Sequence, residues 1–178
     1  NDRYVVSPSA SCVGMVKNYY SELFHNSALH NEYKSIQKKI YEFSDFLVNV
    51  LNVTDVGAKL EGVATYHDAC SALRELNIKT TPRTLLSKVK GLEMREMNDN
   101  ETCCGFGGTF SVTFPHLSTA MGALKLEHVR AAGPDEYVSP DMSCLMHLGG
   151  MATAEGRPIR TRHIAQVLRD ALKGGPRA

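Results

Sequence analysis

The chain has 178 residues, with 20 basic and 19 acidic side chains and a net charge of +1. This length suits one domain, or one domain and part of another, and is enough to bury a core. The balanced charge gives no large field that would attract nucleic acid or a membrane surface, and no apolar run approaches the roughly 18 residues that span a bilayer. We therefore expect neither a nucleic-acid partner nor a membrane span.

The five cysteines also bear on the compartment. Their number is odd, and their spacing does not resemble the disulfide framework of a small secreted protein. No signal peptide is visible in the sequence. A reducing environment is favoured, so we expect a cytoplasmic protein.

The first third of the sequence predicts one strand and two helices. Residues Tyr4–Ser7 have the pattern of a buried strand, and apolar residues at helical spacing follow. Between Tyr33 and Asn52, apolar residues recur every three or four positions, which predicts one long amphipathic helix. We expect Asn52–Leu60 to be the boundary between two units of the chain.

The remainder alternates between strand and helix patterns. Strands are predicted at Gly62–Tyr66, Leu92–Met97, Glu136–Ser139 and near Ile159, and helices from Thr81, from Pro115 to Gly133, after Cys144 and over Arg162–Leu172. In the helix that starts at Pro115, the expected buried stripe is Leu117, Ala120, Met121, Leu124 and His128. The alternation indicates an α/β fold with a mainly parallel sheet flanked by helices. Such sheets place their sites at the carboxyl ends of strands, where Cys70 and Cys144 fall.

A seven-residue segment occurs twice. Val6–Cys12 reads VSPSASC and Val138–Cys144 reads VSPDMSC, so five of seven positions agree at an offset of 132 residues. The same offset would place counterparts of the other cysteines before residue 1, and the chain does not start with methionine. We therefore predict a duplicated protein, with residues 1–53 as the C-terminal part of a first, N-terminally truncated unit and residues 54–178 as a complete second unit.

The stretch Cys103-Cys104-Gly105-Phe106-Gly107-Gly108 predicts a metal site. Adjacent cysteines are poor disulfide partners, but they are good metal ligands where glycines let the backbone turn sharply. Together with Cys70 and Cys144 they supply four thiolates from three segments, which suits a soft metal centre, either zinc or iron with sulfide. The three glycines lack the spacing of a dinucleotide-binding loop, and we expect their backbone N–H groups to face cluster sulfurs.

These residues resemble the cysteine-rich CCG domain found in heterodisulfide reductases, in the iron–sulfur subunits of glycolate oxidases and in lactate utilization proteins. The family pattern is a lone cysteine, then Cys-Cys-Gly, then Cys-x-x-Cys, usually present twice. The segments that carry the resemblance further are Tyr66–Cys70, Cys104–Val112, Ser118–Met121, Ser143–Met146 and His163–Ala165. The resemblance covers nearly the whole chain and is greatest to the lactate utilization protein A family.

The resemblance implies a [4Fe–4S] cluster, either an ordinary one with four cysteines or a non-cubane one that takes five. Its ligands would be Cys70, Cys103, Cys104 and Cys144, with Cys12 as the orphan ligand of the first unit. His147 replaces the last cysteine of the pattern and is either a hydrogen-bond donor or a fifth ligand. His67, three residues before Cys70, either packs at the strand end or forms a hydrogen bond near the metal.

By resemblance, the chain is an iron–sulfur electron-transfer subunit of an oxidoreductase complex that oxidises L-lactate to pyruvate, and the other subunits are its partners. Hydride removal from a hydroxy acid normally needs an organic cofactor, so we assign no catalytic residue and expect a non-catalytic or co-catalytic subunit. Two alternatives stay open: a zinc-stabilised α/β binding module and a thiol redox protein. Both usually carry Cys-x-x-Cys, which the sequence lacks.

Overall fold

The computed structural model describes residues 3–173, which form parallel strands flanked by helices and confirm the predicted α/β class. The strands are β1 (Val5–Ser7), β2 (Ile40–Glu42), β3 (Lys59–Tyr66), β4 (Lys90–Met94), β5 (Glu136–Ser139) and β6 (Thr161–His163). The helices are α1 (Ala10–Gly14), α2 (Tyr20–Phe24), α3 (His30–Lys39), α4 (Phe43–Asp45), α5 (Thr80–Ser87), α6 (Thr109–Thr113), α7 (Pro115–Ala132), α8 (Met142–Ala154) and α9 (Ile164–Lys173). Short π-helical segments occur at Met15–Tyr19, Phe46–Val50 and Ser71–Glu75.

The larger sheet contains four parallel strands in the order β4-β3-β5-β6. Tyr66 of β3 pairs with Val138 of β5, and Ser139 of β5 pairs with His163 of β6. The carboxyl ends of these three strands therefore lie side by side. The segments that follow β3 and β5 both contain cysteines, and both start from this edge of the sheet.

Helices cover both faces of this sheet because side chains alternate along each strand. Tyr137 points to a core formed with α7 and α8, whereas Val138 points to a core formed with α5 and α9. In α9 the buried apolar residues recur at helical spacing: Ile164, Val167, Leu168 and Ala171. Among the described helices, none is both long and apolar enough to cross a membrane.

The long helix predicted from Tyr33 to Asn52 is wrong in its middle. Helix α3 ends at Lys39, and the next three residues form β2, which pairs in parallel with β1. Glu42 then ends the strand and accepts hydrogen bonds from the backbone N–H groups that begin α4. Apolar residues keep their helical spacing across this break, and neither glycine nor proline occurs there. The sequence pattern therefore does not indicate the strand.

Strand positions also differ from the predictions in smaller ways, and β3 begins at Lys59 where Gly62 was expected. The strand expected at Leu92–Met97 begins at Lys90, because that residue pairs with Lys59 of β3. The last strand lies just after Ile159, as β6. The first strand is not buried: its valines are exposed, because β1 pairs only with β2 in the part of the chain that the structure describes.

The two copies of the repeated segment have the same local geometry. Ser9 (φ −136°, ψ 105°) and Asp141 (φ −131°, ψ 116°) both occupy the N-cap position, and each side chain accepts a hydrogen bond from a backbone N–H of the helix that follows. The strand registers also match, since Ser7 pairs with Glu42 as Ser139 pairs with His163. The β1–α1 and β5–α8 turns are therefore closely similar in their N-cap dihedral angles and strand pairing.

Candidate metal centre

Three segments bring cysteines to the carboxyl edge of the larger sheet. Cys70 follows β3 and directly precedes the π-helical segment Ser71–Glu75, and Cys144 lies in the first turn of α8, after β5. Cys103 and Cys104 lie in the loop between β4 and α6. Because β4, β3 and β5 are adjacent parallel strands, the segments that follow them converge.

The four thiols lie close together in space. The Sγ atom of Cys104 donates a hydrogen bond to the Sγ atom of Cys144 at 2.9 Å, and the thiol of Cys103 lies near those of Cys70 and Cys104. Cys104 and Cys144 are buried, the other two are partly exposed, and all four are free thiols. The structure thus brings together the four cysteines assigned to the second unit, while their role as ligands stays a prediction.

These cysteines line a cavity of about 410 Å³. The glycine loop forms a second wall, and Ser11 and Met15 of the N-terminal segment contribute to a third. Asn18 ties that segment to the wall by donating a hydrogen bond to the carbonyl oxygen of Glu75 at 3.2 Å. A cavity with four converging soft sulfur donors fits zinc or an iron–sulfur cluster.

The glycine loop wraps closely around the cysteine pair. Gly105 has φ of 92°, and a Cβ atom there would lie 2.6 Å from the carbonyl oxygen of Ser118. Only glycine fits this position without displacing backbone. Its N–H group donates to the Sγ atom of Cys103 at 3.4 Å, and the next N–H faces Cys104. Gly107 and Gly108 line the cavity beyond.

The close thiols hold their protons unequally. The neighbouring thiols of Cys104 and Cys70 lower the pKa of Cys103, and the hydrogen bond from Cys104 lowers the pKa of Cys144. The same contacts and burial raise the pKa of Cys70 and of Cys104. Metal binding to these sulfurs would release the protons that the thiols still hold.

His67 is fully buried beside the thiols. Its Nδ1 atom lies 3.2 Å from the carbonyl oxygen of Asn100, which can only accept, so Nδ1 carries the proton. The Nε2 atom has no hydrogen-bond partner, and one nitrogen of this ring lies within 4.8 Å of the sulfurs of Cys104 and Cys144. A ring held by a carbonyl at one nitrogen and free at the other has the usual arrangement of a metal-binding histidine.

His147 lies farther from the cavity. It follows Cys144 by one helical turn, with Nε2 at 3.5 Å from Oγ of Ser118 and its ring edge-on to Phe106 at 5.9 Å. Partial burial lowers the pKa of His147. Phe106 lines the cavity and His147 does not, so the structure places His147 behind that ring.

Cys12 is separate from the other cysteines. It is exposed on α1, and although its neighbours Ser11 and Met15 reach the cavity, Cys12 is not among the lining residues. Its backbone N–H is used by the N-cap Ser9. The structure gives this thiol no cysteine neighbour among the residues it describes.

Two buried charged residues beside the site are not evident from the sequence. Asp68 accepts two hydrogen bonds of 2.8 Å from Arg83, and its backbone N–H donates to the carbonyl oxygen of Asn100. Lys125 of α7 is 1% exposed and donates to the carbonyl oxygen of Asp99. A signal for Lys125 exists: Gly122 and Ser118, one and two turns earlier, are the small residues of a closely packed helix face.

Comparison with known proteins places these features in a defined class. Residues 64–149 match the cysteine-rich domain family known as CCG. The matched region runs from β3 through α8 and includes all four converging cysteines but not Cys12. The fold and the site thus define a cysteine-rich domain of the CCG type.

Similarity to curated proteins extends beyond that domain. The chain is 45% identical over 166 residues to lactate utilization protein A of Lysinibacillus sphaericus, covering 93% of this chain and 72% of that protein. It is 46% identical over 165 residues to lactate utilization protein A of Geobacillus thermodenitrificans, covering 93% and 69%. The corresponding protein of Oceanobacillus iheyensis is 41% identical over 175 residues, covering 98% and 72%. The chain belongs to the lactate utilization protein A family.

Proposed function

We propose that this chain binds an iron–sulfur cluster through Cys70, Cys103, Cys104 and Cys144 and transfers electrons within an oxidoreductase complex. The observation that carries the proposal is the convergence of these four free thiols, from three segments, on one cavity. Four thiolates are the usual ligand set of a [4Fe–4S] cluster.

The surroundings of the thiols support a cluster over a purely structural metal. Backbone N–H groups of the glycine loop face the sulfurs of Cys103 and Cys104. Such hydrogen bonds stabilise the negative charge that a cluster gains on reduction and so adjust its potential. Cys70 and Cys103 are partly exposed, which leaves a path for electrons between the site and a partner.

The substrate proposal comes from the relatives. Their name states a role in lactate utilization, and we extend it to a cytoplasmic complex that oxidises L-lactate to pyruvate. Removing a hydride from a hydroxy acid calls for an organic cofactor, which we assign to other subunits of the complex. The residues of this chain would then hold the cluster and pass on the electrons.

The domain proposal is that residues 1–53 belong to a first CCG unit and residues 54–178 to a second. It is supported by the matching N-cap dihedral angles of Ser9 and Asp141 and by the matching strand registers. In the second unit, β3 pairs with one edge of β5, and the corresponding edge of β1 is unpaired among residues 3–173. We propose that a strand of the complete first unit covers β1 in the same way.

Zinc is the second candidate for the site. One ligand atom each of His67, Cys104 and Cys144 lies within 4.8 Å of the other two, which is three-quarters of a tetrahedral zinc site. A fourth sulfur from Cys103 or Cys70 would complete it. This arrangement would serve stability and would not transfer electrons.

Metal and sulfide analysis separates the two. The protein is purified without oxygen, reconstituted with iron and sulfide in one sample and with zinc in another, and examined by electron paramagnetic resonance after reduction with dithionite. We expect a brown protein with about four irons and four sulfides per chain. A colourless protein that retains a single zinc and rejects iron would contradict the proposal.

A further inference from the structure

Lys125 lies on the face of α7 that packs against the cysteine turn. A Cβ atom on Gly105 would lie 2.6 Å from the carbonyl oxygen of Ser118 and 3.3 Å from the backbone nitrogen of Gly122, so helix and turn are in direct contact. Lys125 follows Gly122 by three residues on this buried face. The lysine is therefore directed beneath the loop that carries the cysteine pair.

The ammonium group of Lys125 holds the start of this loop. Its Nζ atom donates to the carbonyl oxygen of Asp99 at 2.5 Å, and the N–H of Thr102 donates to the same oxygen at 3.0 Å. Asp99 adopts a left-handed conformation, with φ of 51°, which turns the chain just before Cys103. Because this carbonyl is held in place, the path of the backbone that leads to the cysteine pair is also held in place.

The loop is held from the opposite side by the end of β3. The carbonyl oxygen of Asn100 accepts from the N–H of Asp68 at 3.2 Å and from Nδ1 of His67 at 3.2 Å. Two successive carbonyl groups are thus bound from two sides, by α7 and by the residues that directly follow β3. Lys125 supplies the only ammonium donor to either carbonyl among the described residues.

The buried charge also needs a negative partner. Burial lowers the pKa of Lys125, and the nearby Cys104 opposes this shift more strongly than Asp99 and Asp68 do. In residues 3–173, Lys125 forms no salt bridge with a carboxylate. A buried ammonium without a paired carboxylate is costly unless other negative charge is close. A cluster bound to the adjacent cysteines would provide that charge.

We propose that Lys125 is the buried cation of the cysteine site, where it positions the loop of residues 99–104 through the Asp99 carbonyl and offsets the negative charge of the bound cluster. The charge-offsetting role rests on the proposed function, whereas the positioning role does not. One-electron reduction adds one negative charge to a cluster, and a fixed cation stabilises that state. Lys125 would therefore raise the reduction potential.

The first test needs no cluster. Hydrogen exchange of the backbone amides of Asp68 and of residues 98–104 is compared in metal-free wild type, Lys125→Met, and Lys88→Met as a control at an exposed lysine. We expect exchange at Asp68 and Thr102 to be about tenfold faster in Lys125→Met and unchanged in the control. Unchanged exchange in Lys125→Met would overturn the positioning role. Global stability is measured alongside, and we expect it to be maintained, because methionine removes the cost of burying charge.

The second test uses the reconstituted protein. Redox titration followed by electron paramagnetic resonance should show a more negative potential in Lys125→Met, with Lys125→Arg closer to wild type because it keeps the charge. An unchanged potential in a Lys125→Met protein that still holds its cluster would overturn the charge role. If wild type takes no cluster, the proposed function fails, and the exchange experiment still decides the positioning role.

Discussion

The β1–α1 and β5–α8 segments have the same shape but different surroundings. Both pass from strand to helix through a VSP turn with closely similar N-cap dihedral angles, and both place a cysteine in the first turn of the helix. Cys144 is 6% exposed and contacts Cys104, whereas Cys12 is exposed and has no cysteine neighbour in the described part of the chain.

The difference comes from what lies beside each strand. β5 pairs with β3, whose carboxyl end carries His67 and leads to Cys70, and the Cys103-Cys104 loop closes over this edge. The corresponding edge of β1 is open within residues 3–173, and Val5 is 45% exposed there. A strand–turn–helix unit therefore positions one cysteine, and the group of four thiols needs the neighbouring strand and loop as well.

The largest expected contrast is between the two equivalent cysteines. Cys144→Ser removes a central sulfur, and we expect iron in the reconstituted protein to fall from about four per chain to less than about one. Cys12→Ser, the matched control, should retain the full iron content. Iron and sulfide analysis of both variants measures this, and equal loss in both would show that Cys12 takes part in the same centre.

The glycine loop should show a contrast in stability. Gly105→Ala adds a Cβ atom against a backbone carbonyl at φ of 92°, and we expect a loss of unfolding free energy on the order of 3–5 kcal/mol. Gly108→Ala also has positive φ but meets nothing within 4 Å, so only backbone strain is added and the loss should be about 1–3 kcal/mol. Urea denaturation of the metal-free variants tests the order, and similar losses would refute the close packing on α7.

The two histidines should differ in their effect on metal binding. His67→Gln removes the unpartnered nitrogen beside Cys144, and we expect metal affinity to fall about 10–100-fold. His147→Ala should leave iron content intact and lower the reduction potential, since we assign His147 a hydrogen-bonding role near the site. Competition with a chelator gives the affinities. Iron loss in His147→Ala without unfolding would instead identify it as a ligand.

The smallest expected effect concerns Glu42, the last residue of β2. Glu42 pairs with Ser7 in the same way that His163 pairs with Ser139. Burial raises the pKa of the Glu42 carboxyl above its usual 4.5, so the folded state holds this proton more tightly than the unfolded state. Its contribution to stability is present below pH 4.5 and is lost as pH rises through the folded pKa. The stability of Glu42→Gln relative to wild type should therefore increase from about pH 5 to about pH 8. Denaturation at several pH values measures it, with exposed Glu127→Gln as control; a pH-independent difference would contradict the account.

Sequence patterns predicted the fold class and the place where the cysteines meet. The alternation of strands and helices predicted the α/β class, and the cysteines at predicted strand ends do converge. The β2 strand was hidden because Ile40 continues the apolar spacing of α3 into the next helix. Only the pairing with β1, a contact between distant residues, selects the strand there.

The buried face of α7 shows a second limit of pattern analysis. Apolar spacing predicted a buried stripe that includes Leu117 and Leu124, yet these residues are 54% and 48% exposed. The face that is buried instead carries Ser118, Gly122 and Lys125, because close approach to the cysteine turn requires small side chains. A lysine is buried there through a specific carbonyl and nearby thiolates, which hydrophobicity alone does not predict.

The central claim is that one metal centre occupies the cavity of the four cysteines and that Cys12 lies outside it. A crystal structure of the anaerobically reconstituted protein, with an anomalous difference map at the iron absorption edge, tests this most directly. The account predicts a single group of iron peaks within bonding distance of the sulfurs of Cys70, Cys103, Cys104 and Cys144. Iron at Cys12, or an iron-free cavity in a protein that contains stoichiometric iron, would contradict it.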